Sequence, residues 1–152
     1  MRCVVQRSGP AQVSIAGEVC GAIDSGLVVL VGFGPGDTEA ELAWMARKLP
    51  RLRIFRDDED RMNRSLIDVQ GSILLVSQFT LYGDCRKGQR PSFMGSAAPD
   101  KAADLYVRFG ALLRAEWPAV SEGVFGAMME VSLLNDGPVT LILEREAVTG
   151  NE

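Results

Sequence analysis

Apolar positions in this chain fall into short runs separated by two longer amphipathic stretches, a pattern that predicts strands alternating with helices. Leu27–Val31 is continuously apolar and mainly β-branched, which is typical of a strand buried on both faces. Ile73–Leu81 is predicted to be a second central strand. Cys3–Gln6 and the alternating stretch Val13–Ile23, which turns at Gly17, predict strands with one face toward the core.

The two amphipathic stretches carry helix start and stop signals. Thr38 followed by Glu41 forms a capping box, apolar residues then recur at helical spacing, and Pro50 ends the helix. Pro99 opens the second helix, because proline is tolerated at the first helical position, and Pro118 ends it.

The end of the chain predicts two further strands, Val124–Leu134 and Val139–Leu143, joined by Asn135–Pro138. Asp-Gly in this connection favours a hairpin turn. Pro138, however, lies where the second strand would begin to donate ladder hydrogen bonds. An edge position or a cis Gly-Pro bond is therefore the alternative.

Together with a short strand at Leu52–Phe55, these elements predict a single α/β domain over residues 1–143. We expect a mixed, curled or barrel-like β-sheet that carries two main helices. Residues 144–152 are expected to form a short C-terminal tail.

The amino-acid composition excludes several kinds of catalytic and metal site. The 152 residues contain no histidine, which excludes a Ser-His-Asp triad, a Cys-His pair and any His-ligated metal site. The three cysteines are widely spaced and form no CxxC pair, so we expect neither a disulfide framework nor a zinc site, and no cofactor. The longest apolar run is far too short to span a membrane and no signal peptide is visible, so a cytoplasmic location is expected.

The formal net charge is −4, so contact with a nucleic acid would require a local basic patch. Five basic residues lie in Arg47–Arg56, and three more in Arg86–Arg90. Either run could bind phosphate, although a solvated helix face is the commoner explanation for the first.

The strand Ile73–Leu81 changes character at Ser77–Thr80, where three of four side chains are polar. An unpaired amide in a buried strand costs about 1–3 kcal/mol, so Gln78 is unusual there. The segment is either part of a functional site or a strand end that emerges into solvent, and spacing alone does not decide between them.

Three segments together resemble the signature of the D-aminoacyl-tRNA deacylase (D-tyrosyl-tRNA deacylase) family. They are Ser77-Gln78-Phe79-Thr80-Leu81, Arg90-Pro91-Ser92-Phe93 and Asn135-Asp136-Gly137-Pro138-Val139-Thr140. Val5-Gln6-Arg7, Arg53-Ile54-Phe55 and Met62-Asn63 look like the same family. Order and spacing match as well, over about Met1 to Leu143.

The resemblance implies an enzyme that hydrolyses the ester between a D-amino acid and the 3′-terminal adenosine of tRNA. It also implies a homodimer in which Gly137-Pro138 of one subunit enters the pocket of the other. This pair would be a cis peptide whose carbonyls exclude the side chain of an L-amino acid but cannot exclude glycine. Arg7 would hold the carbonyls in place. Neither DNA nor a membrane is expected as a partner.

Ser77, Gln78, Phe79 and Thr80 would line the catalytic side of the pocket, with backbone N–H groups near Phe79 and Thr80 stabilising the oxyanion. Because no histidine can activate a hydroxyl, we expect water or the ribose 2′-hydroxyl to assist the reaction while Thr80 positions the substrate. Phe125 and Met129 would pack on the terminal adenine, although core packing explains them equally well.

Two other classes of function remain open. A non-catalytic tRNA-binding module would use Arg51–Arg56 and Arg86–Arg90 and would bind without cleaving. An esterase with a threonine nucleophile would act on small esters in the absence of tRNA.

Overall fold

A computed structural model describes residues 1–147 of the chain. The strands are β1 (Arg2–Ile15), β2 (Glu18–Ile23), β3 (Gly26–Gly32), β4 (Phe55–Arg56), β5 (Met62–Arg64), β6 (Ser72–Ser77), β7 (Val120–Glu122) and β8 (Glu130–Glu144). The α-helices are α1 (Glu39–Lys48), α2 (Leu66–Val69) and α3 (Pro99–Glu116), and 3₁₀ turns occupy Leu49–Arg51 and Phe79–Tyr82.

The long strand β1 organises the main sheet. Its first half pairs antiparallel with β3 and its second half with β2, while β8 pairs antiparallel along its other side. Strands β3, β6 and β7 run parallel to one another. Strand β7 approaches β2, where the Ser121 hydroxyl donates to the Ala22 carbonyl at 3.1 Å. The sheet is thus curled into a nearly closed barrel, which confirms the predicted fold class.

Alternation along β3 and β6 divides the core into two clusters. Val28, Leu74 and Val76 face the interior of the curled sheet. Leu27 and Ile73 belong to the larger cluster, which packs against α1 and α3 on the outside. The helices therefore cover one face of the sheet, and β8 remains at its edge.

Both main helices follow the predicted signals. Thr38 and Glu41 form the capping box of α1, and Pro99 is at the start of α3. An ion pair between Glu39 and Arg108 joins the two helices at the surface. None of the helices described in residues 1–147 has the length and apolar character needed to cross a bilayer.

The predicted hairpin at Asn135–Pro138 is wrong. Strand β8 is continuous and stays antiparallel to β1, with Thr140 opposite Gln6 and Asn135 opposite Ser8. The residues between them therefore bulge out opposite a single residue of β1. The Asn135 side chain ties the base of this bulge, because it accepts from the N–H of Val139 at 3.2 Å and donates to the hydroxyl of Thr140 at 3.0 Å. The turn signals mark a bulge instead of a chain reversal.

Three strand boundaries also differ from expectation. The strand predicted to reach Leu81 ends at Ser77, because the next residue turns away into a 3₁₀ helix. The predicted strand Leu52–Phe55 is a two-residue strand, β4, shifted toward the C-terminus. The chain at 124–129 is not a strand, and the short β7 just before it was not predicted.

The boundary of the predicted tail falls within β8. This strand runs through Glu144, and the N–H of Arg145 donates to the Met1 carbonyl at 3.0 Å. Residues 148–152 lie outside the described part of the chain.

Candidate active site

The carboxyl ends of the parallel strands β3, β6 and β7 meet at one edge of the sheet, a common position for ligand sites in α/β proteins. Gln78–Thr80 follows β6 directly, and Phe125 follows β7 on the neighbouring strand. The N–H of Gly123 donates to the Leu75 carbonyl at 3.0 Å, which holds these two chain exits side by side. Topology thus brings the polar strand end close to the segment that carries Phe125.

The polar strand end forms a single 3₁₀ turn at this edge. The N–H of Gln78 donates to the Val31 carbonyl at 2.7 Å, and the N–H of Leu81 donates to the Gln78 carbonyl at 3.2 Å. The N–H groups of Phe79 and Thr80 open the turn, so neither has an acceptor within it. These two neighbouring donors are therefore available to an incoming oxyanion.

The Thr80 hydroxyl is held by its neighbour. The Gln78 side-chain amide donates to Thr80 Oγ1, and both side chains are accessible at the surface. An amide does not accept a proton near neutral pH, so this contact orients the hydroxyl without activating it. Ser77 is half-buried at the end of β6. The arrangement suits positioning and charge stabilisation better than nucleophilic attack by threonine.

The loop after this turn folds back onto it. Asp84 and Ser92 exchange two backbone hydrogen bonds, at 2.7 and 2.9 Å. The chain then places the Phe93 ring against the Phe79 ring, edge to face, with centroids 5.1 Å apart. Phe93 belongs to the Arg90–Phe93 segment that resembles the family signature, but no role for its side chain was predicted from the sequence.

A groove of about 720 Å³ lies beside the turn, lined by residues of this loop together with Arg2 and Tyr82. The Arg2 guanidinium stacks over the Tyr82 ring at 4.5 Å and donates to the Leu81 carbonyl at 3.1 Å. Burial raises the pKa of the Tyr82 phenol, which therefore stays neutral. No motif in the sequence singled out Arg2 or Tyr82.

The β8 bulge presents Gly137 and Pro138, and the peptide bond between them is cis. Arg7 is buried beneath this bulge, with 3% of its surface exposed. Its guanidinium donates to the Asp136 carbonyl at 3.2 Å and to the Ile54 carbonyl at 2.7 Å. Gly137 has a φ of +119°, and a Cβ there would lie 2.6 Å from an Arg7 nitrogen. Arg7 and the absence of a side chain at Gly137 therefore set the shape of the bulge together.

The bulge and the 3₁₀ turn are far apart within one chain. The turn begins where the N–H of Gln78 donates to the Val31 carbonyl, and Val31 pairs with Cys3 of β1. The bulge lies opposite Arg7 of β1. Four residues of β-strand span roughly 14 Å. The two segments also leave the sheet from opposite sides of β1. A single chain does not bring them together.

The two residues expected at the adenine are half-buried. Phe125 packs against Tyr106 with ring centroids 5.8 Å apart, on the helix-covered face. Met129 packs on the cluster inside the curled sheet. Both have core contacts, so their contact with adenine stays a prediction. Within residues 1–147, no three His, Cys, Asp or Glu side chains are grouped so as to hold a metal ion.

Comparison with known proteins places the chain in a family. The family model described as D-Tyr-tRNA(Tyr) deacylase matches residues 4–144. The chain belongs to the D-aminoacyl-tRNA deacylase family. A D-aminoacyl-tRNA deacylase from Thermus aquaticus is 57% identical over 151 residues, covering 99% of both chains. One from Geobacillus sp. (strain WCH70) is 55% identical over 152 residues, covering all of both.

Two solved structures share the fold of this chain. The structure titled "c-Myc DNA Unwinding Element Binding Protein" superposes with a TM-score of 0.91 at 41% identity, covering 97% of this chain and 100% of that one. A probable eukaryotic D-amino acid tRNA deacylase shares the fold, with a TM-score of 0.82 at 21% identity over 93% of this chain and 97% of that one. Like its relatives in this family, the chain is a hydrolase.

Proposed function

We propose that this deacylase hydrolyses the ester of D-aminoacyl-tRNA in a pocket shared by two subunits. One subunit contributes Ser77–Thr80, and its partner contributes the main-chain carbonyls of Gly137 and Pro138. The observation that carries the proposal is the distance within one chain between two segments that both match the family's motifs.

The exposed edge of β8 supports a dimer. Within residues 1–147, β8 pairs only with β1, so its other edge is open. Leu134 is 57% exposed and Ile142 is 72% exposed along this strand. A long, partly apolar edge strand is normally protected in native proteins, and a second copy would protect it.

In the proposed reaction, the N–H groups of Phe79 and Thr80 bind the ester carbonyl oxygen as negative charge develops on it. The oxygen of a water molecule, assisted by the ribose 2′-hydroxyl, attacks the carbonyl carbon. The bond to the ribose oxygen then breaks, and that oxygen takes a proton. The products are the free D-amino acid and a tRNA with its terminal hydroxyl restored. Thr80 orients the ester, and Phe125 and Met129 pack on the adenine.

Chirality is selected by exclusion. The side chain of an L-amino acid would meet the Gly137 and Pro138 carbonyls, whereas that of a D-amino acid would point away from them. Arg7 holds the bulge in place from below through the Asp136 carbonyl. Glycine has no side chain, so the same filter accepts glycyl-tRNA. Because the substrate is aminoacyl-tRNA, we place the enzyme in the cytoplasm.

The test follows ester loss from D-Tyr-tRNA, L-Tyr-tRNA and glycyl-tRNA with purified protein. We expect hydrolysis of the first and third and survival of the second. Binding without cleavage would favour the non-catalytic RNA-binding alternative instead. Cleavage of small esters without tRNA, abolished in Thr80→Ala, would favour the threonine esterase. Resistance of glycyl-tRNA at high enzyme concentration would contradict selection by exclusion.

A further inference from the structure

We propose that the loop from Asp84 to Phe93 binds the single-stranded RNA that immediately precedes the terminal adenosine of the substrate. The proposal rests on the function proposed above and adds a second contact region to the same site. We call this loop the RNA-docking loop.

The RNA-docking loop is attached directly to the candidate catalytic turn. The N–H of Gly83 donates to the Thr80 carbonyl at 2.9 Å, immediately before the loop begins. At its other end, Phe93 packs both on Phe79 and on the backbone of Gly83, where an added Cβ would lie 3.0 Å from its ring. An RNA strand whose 3′ ester lies at the turn therefore has this loop as its immediate neighbour.

The aromatic pair offers a surface for stacking. Phe79 is 55% exposed and Phe93 is 37% exposed, which is unusual for large aromatic side chains in contact with each other. Single-stranded nucleic acid is commonly bound by stacking its bases on such rings, because every base has a π face. Bases within a duplex are already stacked on each other, so the two phenylalanine rings favour binding of a single strand.

The charge of the RNA-docking loop points to the same ligand. Within residues 1–147, Lys87 and Arg90 take part in no ion pair, whereas Arg86 is held by both carboxylate oxygens of Asp84. In the other basic run, Arg51 pairs with Glu116 and Arg56 with Asp60, and the exposed Arg47 and Lys48 lie at the end of α1, on a different element from the candidate catalytic turn. In a chain of net charge −4, the loop is thus a local excess of free positive charge.

The space beside the RNA-docking loop is large enough to hold part of an RNA strand. The groove of about 720 Å³ adjoins a second hollow of about 570 Å³, lined by Asp84, Arg86, Lys87 and Ser92. Both volumes fall within the range typical of small-molecule sites, roughly 300–1,000 Å³. The Tyr82 ring lines the first hollow and the unpaired Lys87 lines the second, which suits the bases and phosphates of a short unpaired strand.

The test compares two substrates that differ only in this RNA. D-Tyr-tRNA carries the unpaired nucleotides, whereas D-tyrosyl-3′-adenosine carries only the terminal nucleoside. In the double variant Lys87→Ala/Arg90→Ala, we expect KM for D-Tyr-tRNA to rise about tenfold at unchanged kcat, with a salt dependence flatter by about 1.4 in log–log slope. In Phe93→Leu, which keeps apolar packing on Gly83, we expect a rise of about fivefold or more.

With D-tyrosyl-3′-adenosine, both variants should match the wild type. The control variant Arg47→Ala/Lys48→Ala removes two exposed basic residues at the end of α1, and it should leave KM and kcat for both substrates unchanged. Wild-type KM for D-Tyr-tRNA in the loop variants, or an equal loss with both substrates, would overturn the proposal. A wild-type protein inactive on both substrates would overturn the proposed function itself, and the proposal with it.

Discussion

At the scale of single residues, the backbone donors of the 3₁₀ turn carry the proposed chemistry. Phe79→Pro removes one N–H, and proline is tolerated at the first position of a helical turn. We expect kcat for D-Tyr-tRNA to fall about 10²–10³-fold, the typical cost of losing one oxyanion donor. Phe79→Ala is the matched control, because it removes the same ring and keeps the N–H. Equal rates for the two variants would show that this N–H does not act in catalysis.

The Asp84–Arg86 pair supplies a residue-scale prediction in pH. Hydrogen bonds from the Arg86 side chain lower the pKa of the Asp84 carboxyl from its usual 3.8 to about 2. The pKa of this carboxyl is lower in the folded state than in the unfolded state. The pair therefore stabilises the folded state above about pH 3.8, and this stabilisation is lost as the pH falls toward 2. In Arg86→Ala, the backbone N–H of residue 86 still donates to Asp84, so we expect the pKa of the carboxyl to rise from about 2 toward 3.8 in a carbon-detected NMR titration. A titration that stays near 2 would mean that the loop backbone alone holds the carboxylate.

Candidate site residues could be chosen from the sequence, but most of their contacts could not be predicted from it. The motif segments contain Gln78, Thr80 and Gly137, and the structure places the first two at a 3₁₀ turn and the third in a strand bulge. Nothing local indicates that Arg7 reaches the Ile54 carbonyl, because 47 residues separate them along the chain. The groove residues Arg2 and Tyr82 were missed for the same reason, since their stacking arises from the pairing of β1 with β3.

At the scale of elements, the β8 bulge depends on close approach between strands. Gly137→Ala places a methyl group 2.6 Å from an Arg7 nitrogen at a φ of +119°, so the bulge or the arginine must move. We expect D-Tyr-tRNA deacylation to fall at least tenfold while the circular dichroism spectrum stays native, because β8 pairs with β1 on both sides of the bulge.

Gly17→Ala is the control for backbone conformation. Gly17 has a φ of +83°, but nothing lies within 4 Å of an added Cβ. This variant should share the conformational penalty and keep its activity. If both variants lose activity alike, the contact with Arg7 is not the cause.

Capped helices were predictable because their signals are local. The Glu41 carboxylate accepts from the N–H of Thr38, and the Thr38 hydroxyl oxygen accepts from the N–H of Ala40, so the whole capping signal lies within four residues. Helix α3 begins where Pro99 predicts. The hairpin prediction failed because Asn-Asp-Gly-Pro describes local turn chemistry only. Whether the chain reverses there depends on β1, which pairs with β8 both before and after the bulge. Long-range pairing decided the outcome, and the Asn135 side chain satisfies the backbone that the bulge leaves unpaired.

At the scale of the whole molecule, the proposed site needs two chains, and mixing variants tests this directly. Phe79→Pro impairs the turn and Gly137→Ala impairs the bulge, so each homodimer should keep at most about one tenth of wild-type activity. In a heterodimer, one of the two pockets combines an intact turn with an intact bulge. Random exchange makes half of the dimers mixed, and we expect about one quarter of wild-type activity after co-refolding. Controls are each variant refolded alone, with dimer content measured by analytical ultracentrifugation. If mixed dimers form but the mixture is as inactive as its components, turn and bulge do not share a pocket across the interface.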